Sequence, residues 1–253
     1  MNALAPNDRV SKVPEVTLGF WILKILATTL GETGGDAVTM SMGLGYLAGT
    51  AIFAVLFAVA VAYQIRSERF HPAVYWTTIV ATTTVGTTLA DFADRSLGIG
   101  YAGGTSLLFA LLAASLVVWY RSMGSVSIES IVSPKAEAFY WTTIMFSQTL
   151  GTALGDWMAD DAGLGYAGSA LFFGGCLAAI AAAYYLTRVS RTALFWAAFV
   201  LTRPLGAVVG DFLDKPVAKG GLELSRFGAS AALLGAMLVF LLLSSQRPAA
   251  QAH

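Results

Sequence analysis

The apolar residues of this chain fall into eight long runs that alternate between two kinds. Runs such as AIFAVLFAVAVAY and ALLGAMLVFLLL have no polar face, which a helix of a soluble bundle requires. The intervening runs, such as FWILKILATTLGETGGD, are apolar but carry polar residues at helical spacing and end around an aspartate. In the first copy the two kinds cover about residues 17–40 and 44–65, each near the roughly 20 residues a helix needs to cross a bilayer. The pattern predicts eight transmembrane helices.

The alternation is an internal repeat. Trp21, Trp76, Trp141 and Trp196 each stand 15 residues before Asp36, Asp91, Asp156 and Asp211, and Gly31, Gly86, Gly151 and Gly206 each stand five before. The blocks align without gaps as FWILKILATTLGETGGD, YWTTIVATTTVGTTLAD, YWTTIMFSQTLGTALGD and FWAAFVLTRPLGAVVGD. The first three continue to GLGYLAG, GIGYAGG and GLGYAGS, whereas the fourth, AKGGLELSRFGAS, is about five residues longer. Self-similarity of this kind marks a repeat architecture. It divides a single transmembrane domain, 1–253, into repeats of about 17–70, 72–125, 137–190 and 192–245. The spacings of 55, 65 and 55 residues make two double repeats joined by MGSVSIESIVSPKAEA. With an even number of spans in each, the repeats are parallel, related by an axis along the membrane normal. The expected fold is an all-α membrane protein of eight transmembrane helices, four parallel two-helix repeats around a central polar pathway.

Composition agrees: 57% of the residues are hydrophobic and only 12% charged, against roughly 25% charged in soluble domains. Mean hydropathy is +0.69. Fifteen basic residues balance fifteen acidic ones, which gives no reason to expect a nucleic-acid partner. The lone Cys176 excludes a disulfide framework and a thiolate cluster, and it reads as a small core residue. The start, MNALAPNDRVSKVPEV, lacks an apolar stretch with a cleavage site, so no removable signal peptide is expected. Arg9, Lys12, Arg66, Arg69, Arg121, Lys135, Arg188, Arg191 and Arg247 collect on one side of the spans, and Arg95, Lys215, Lys219 and Arg226 on the other. That bias places both termini in the cytoplasm and the tryptophans as anchors at the cytoplasmic interface.

Fifteen helical residues rise about 22 Å, so each repeated aspartate lies in the outer half of a hydrocarbon core about 30 Å thick. Positions four and eight before it share its helical side. The columns read Thr28, Glu32, Asp36; Thr83, Thr87, Asp91; Gln148, Thr152, Asp156; and Arg203, Ala207, Asp211. Around a common axis these stripes line a pathway of hard oxygen ligands suited to Mn²⁺, Mg²⁺ or Ca²⁺. The expected metal ligands are Glu32, Asp36, Asp91, Asp156 and Asp211, with Thr28, Thr83, Thr87, Gln148, Thr152 and Arg203 supporting them. The alternative is structural, each acid holding a neighbouring helix. The glycines read as helix-packing devices, with Gly34 and Gly35 also able to loosen their helix; GETGGD lacks the GK[ST] ending of a nucleotide loop. Lys24, three residues past Trp21, is expected to snorkel to the interface. Arg203, followed by Pro204, is expected to neutralise the acids or form a simple ion pair. Asp94, Asp160, Asp161 and Asp214 read as a solvated rim. His71 and His253 are isolated and make neither ligand nor base.

With its four Trp, Gly and Asp blocks the chain resembles a bacterial family of integral membrane proteins described only by a repeat of unknown function and often labelled membrane-anchored. That resemblance covers nearly the whole chain and implies a multi-pass protein of the bacterial cytoplasmic (inner) membrane. Glu32, Thr33, Gly34, Gly35 and Asp36 are also similar to the ExGD signature of manganese and calcium exchangers, with one extra glycine. Together these features lead to the expectation of a secondary transporter of a divalent cation, Mn²⁺ first, coupled to protons and needing no resident cofactor. Membrane lipid is then its surroundings, and the oligomeric state stays open. Rival readings are a structural or sensory membrane protein and a carrier of an organic cation or other small solute. No Ser, His or Cys constellation for nucleophilic catalysis appears, so an enzyme is not expected.

Overall fold

The computed structural model describes residues 11–249, and its long elements are all α-helices. They are α1 (Leu18–Asp36), α2 (Gly45–Arg66), α3 (Pro72–Asp91), α4 (Tyr101–Met123), α5 (Pro134–Asp156), α6 (Gly165–Leu186), α7 (Arg191–Asp214) and α8 (Arg226–Leu243). Arg9, His253 and most of the stretch read for a signal peptide lie outside the described residues. Local chemistry sets several starts. The hydroxyls of Thr17, Ser133, Ser190 and Ser225 each accept from the N–H three residues on. Pro72 and Pro134 occupy the first turn, where no N–H is needed.

In the first three repeats the helix does not stop at its aspartate. It widens into one π-helical turn, Ala37–Ser41, Phe92–Ser96 and Trp157–Asp161. Asp36, Asp91 and Asp156 therefore stand at an α-to-π switch, where the regular hydrogen-bond ladder is interrupted. The GxGY motif follows for a backbone reason. Both glycines of each copy have φ between 64° and 76°, with open space where a side chain would be, so only the left-handed backbone demands them. The fourth repeat lacks the motif. There α7 runs on to Asp214, and a longer loop turns through Gly220 and Glu223, the latter at φ 55°.

The odd-numbered helices form a closed ring, in which α1 and α5 each pack on both α3 and α7. Glycine makes this possible. A Cβ at Gly31 would collide with Thr83, at Gly86 with Gln148, at Gly151 with Arg203 and at Gly206 with Thr28. Every partner stands eight residues before the next repeat's aspartate, so one contact recurs four times around the ring. One turn further along, Gly35 meets Thr87 and Gly155 meets Ala207, so neighbouring ring helices advance together. The even-numbered helices lie outside: α2 on α3, α4 on α5, α6 on α7 and α8 on α1. Each thus covers the ring helix of the following repeat.

Five helices, α2, α4, α6, α7 and α8, are long and apolar enough to cross a membrane. In the four outer ones only 6% to 17% of the apolar window is buried, against 61% in α7. Exposed apolar side chains such as Leu171 and Leu242 need a non-aqueous surrounding, which makes this a membrane protein. Cys176 is half-buried on outer helix α6 rather than in the core.

The tryptophans depart from expectation. Phe20 packs on Trp76, Tyr75 on Trp141, Tyr140 on Trp196 and Phe195 on Trp21, with ring centroids 5.5, 5.7, 6.2 and 5.9 Å apart. Trp76, Trp141 and Trp196 are buried in this girdle and do not form an outward belt of anchors. The Tyr75 and Tyr140 hydroxyls meet at 2.6 Å inside it. Over the same end, Lys12 Nζ donates to the carbonyls of Gln64, Ile65 and Ser67 and lies 2.5 Å from Glu137 Oε1. One residue thereby caps α2 and ties it to α5.

Candidate functional site

The polar columns face into the ring and stack in layers. One layer holds the repeated aspartates, all buried, in two pairs that each share a basic side chain. Arg95 lies 3.0 Å from Asp91 Oδ1 and 3.2 Å from Asp156 Oδ2. Lys215 Nζ contacts Asp36 Oδ2 closely, Asp211 Oδ1 at 3.0 Å and Asp214 Oδ1 at 4.0 Å. Arg95 and Lys215 are equivalent, each four residues after the aspartate of an even-numbered repeat. Each binds its own aspartate and that of the next repeat, a twofold arrangement that matches the 55, 65, 55 spacing.

Above this layer sit Tyr46, Tyr101 and Tyr166, with Arg226 in the corresponding place of the fourth repeat. Arg95 donates to the Tyr46 hydroxyl at 3.2 Å. Arg226 Nε lies 3.1 Å from Asp214 Oδ2 and 3.8 Å from Asp36 Oδ2. Lys215 follows the end of α7, and its ammonium is held well above the ordinary lysine range. Burial opposes that charge, but Asp211, Asp36 and Asp214 outweigh it.

One turn deeper, Arg203 reaches across the ring. Its Nη2 donates to Glu32 Oε2 at 2.9 Å, Thr87 Oγ1 at 2.6 Å and Thr152 Oγ1 at 2.5 Å. This one side chain joins α7 to α1, α3 and α5, and it lies entirely inside the protein. Thr28 and Thr83 serve the walls: their hydroxyls donate to the Thr202 and Ala27 carbonyls at 3.3 and 3.2 Å. Lys24 lies deeper still and does not snorkel. Fully buried, its Nζ is 3.4 Å from Gln148 Oε1 and 4.1 Å from the centre of the Phe199 ring. Phe199 on α7 and Gln148 on α5 draw the amine inward, away from the interface its position near Trp21 suggested.

Asp94 and Asp214 are not part of a solvated rim either, since both are buried. Asp94 packs against Gly104. Asp160 and Asp161 are exposed, as a rim requires. Asp36, Asp211 and Asp214 each offer a carboxylate oxygen within 4.8 Å of the others, close enough to share one cation. Asp36 Oδ1 accepts no hydrogen bond although it is buried. Grooves of about 440 Å³ beside Trp196 and about 270 Å³ beside Trp141 are lined by none of these acids.

Arg95, Lys215 and Arg226 take part in the site although the sequence reading counted them only as external charges. A signal existed for two of them, because a base four residues after an acid on a helix shares its face. Arg226 was legible only through its alignment with the tyrosine column.

Fold and site together define an all-helical, fourfold-repeated protein with membrane-length helices around a buried charged core. The chain belongs to the family described as Repeat of Unknown Function (DUF347), whose model matches residues 19–70, 74–125, 139–190 and 194–247. Neither a comparison with curated proteins nor one with solved structures yields a match.

Proposed function

We propose that this protein is a secondary transporter of a divalent metal cation, with Mn²⁺ the first to test, moved in exchange for protons. In this reading all eight helices span a bacterial inner membrane as four parallel repeats, both termini are cytoplasmic, and the ring encloses the pathway. Helices α1, α3 and α5 then cross lipid behind the outer helices. The basic residues at the tryptophan end support the orientation.

The observation that carries the proposal is a charge imbalance. In the aspartate layer six buried acids, Asp36, Asp91, Asp94, Asp156, Asp211 and Asp214, face three basic residues, Arg95, Lys215 and Arg226. Unpaired charge in such a medium costs several kcal/mol or more. Three protons, or one divalent cation with one proton, would close the gap, and competition between them is the basis of exchange. Asp36, Asp211 and Asp214 are the nearest all-oxygen set, a chemistry that suits Mn²⁺, Mg²⁺ or Ca²⁺. The Lys215 ammonium would leave as the ion enters.

A structural reading has its own support, because each repeated aspartate already has an internal basic partner. Liposomes loaded with a Mn²⁺-quenched dye separate the two. Purified protein should carry Mn²⁺ inward, and Asp91→Asn with Asp156→Asn should cut that flux at least tenfold in a protein that still folds. Unchanged flux would remove the acids from transport and leave the structural reading.

A further inference from the structure

Beneath the acids the polarity of the core reverses. The deeper layers hold Lys24 and Arg203 against the single carboxylate of Glu32, which Arg203 already engages. Donors there outnumber acceptors. Gln148 Nε2, Arg203 Nε and Arg203 Nη1 are buried and donate to nothing among the described residues. Lys24, which can donate three protons when charged, has one hydrogen-bond partner among the described residues, Gln148 Oε1. The neighbouring hydroxyls offer little relief, since Thr28 and Thr83 donate to backbone carbonyls and stand as walls.

These donors gather at the ring axis. Lys24 extends from α1 to Gln148 on α5, a helix it does not flank in the ring, and lies over Phe199 of α7. Arg203 stands one turn from Phe199 on the same helix, and Gln148 holds the position equivalent to Arg203 on α5. A buried polar group without a partner costs about 1–3 kcal/mol, and more when charged. Three such atoms beside Lys24 call for an acceptor, and a negatively charged one would also offset the burial and the Arg203 charge that oppose a proton on Lys24, which water does not.

We infer that Lys24, Gln148 and Arg203 form a binding site for a small monovalent inorganic anion of the chloride class, inward of the acid layer. Close packing favours a small ion: Gly86 and Gly151 bring neighbouring helices against Gln148 and Arg203. The halide neutralises the cationic excess and accepts from the Lys24 ammonium, the Gln148 amide and the free edge of the Arg203 guanidinium. The site does not depend on cation transport, and it holds equally if the aspartates are structural.

The test uses the full chain in detergent micelles at fixed ionic strength. Sodium chloride or bromide should raise the thermal midpoint by about 2 °C or more over sodium gluconate, as binding to the folded state requires. Gln148→Glu supplies the missing acceptor internally, so this variant should melt higher than the parent in gluconate and no longer respond to halide. Lys24→Met should also lose the response. Crystals grown in bromide should show an anomalous peak within hydrogen-bond reach of Lys24 Nζ and Gln148 Nε2, a readout that stands even if Lys24→Met fails to fold. A halide response retained in Gln148→Glu, no response in the parent protein, or bromide only at the surface would each overturn the site.

Discussion

The inner ring and the outer helices share one repeat but obey opposite rules. In α2, α4, α6 and α8 apolar side chains face outward along most of their length, and the few buried positions include Ser169 and two glycines, Gly49 and Gly104, that face Thr39 and Asp94 of the π-helical turns. In α1, α3, α5 and α7 the inward face holds threonines, amides and charges, most of them fully buried. Hydropathy sees the first group and only one member of the second, α7. A ring screened from lipid by its own outer helices can be polar within, and its stability then rests on pairing and close approach instead of apolar burial.

The contrast can be broken most severely at Arg203. Arg203→Met leaves Glu32 buried without its cation and should cost about 3–5 kcal/mol in unfolding measured in detergent. Adding Glu32→Gln should return most of that loss. Next come the glycines. Gly206→Ala drives a methyl into Thr28 side chain and backbone and should cost about 1–3 kcal/mol, while Gly175→Ala on outer α6 meets nothing within 4 Å and should be neutral or stabilising. Equal effects at the two glycines would erase the distinction between ring and cover. Tyr75→Phe removes the hydroxyl contact to Tyr140 inside the aromatic girdle, and the same thermal melts should report about 0.5–1.5 kcal/mol. The smallest effect belongs to Leu242→Ala, at 85% exposure, which should stay within about 0.5 kcal/mol in micelles.

Much of this architecture was legible because duplication wrote it four times. The Trp-to-Asp interval located α1, α3, α5 and α7, three of which hydropathy alone passes over, and the polar columns named side chains that line one core. Partners were harder to see. Lys215 with Asp36 and Arg203 with Glu32 are far apart in sequence, and nothing local says which helices are neighbours in a closed ring. Lys24 misled for a related reason. Its nearness to Trp21 suggested an interface, but depth is set by the girdle packed around that tryptophan and by Gln148 across the axis. The GxGY glycines were seen as a motif, and only the backbone explained them, through two left-handed glycines separated by one residue.

The outer helices are offset by one repeat, and the offset has a consequence for how the protein is made. No repeat is a self-contained hairpin, because α2 covers α3, α4 covers α5 and α6 covers α7. During synthesis each new ring helix meets a cover already waiting for it, with one exception. Among the eight helices α1 is made before its cover, α8. The earliest ring helix therefore depends on the latest outer helix for its shelter, and any pause before α8 leaves Glu32 and Asp36 with an uncovered flank.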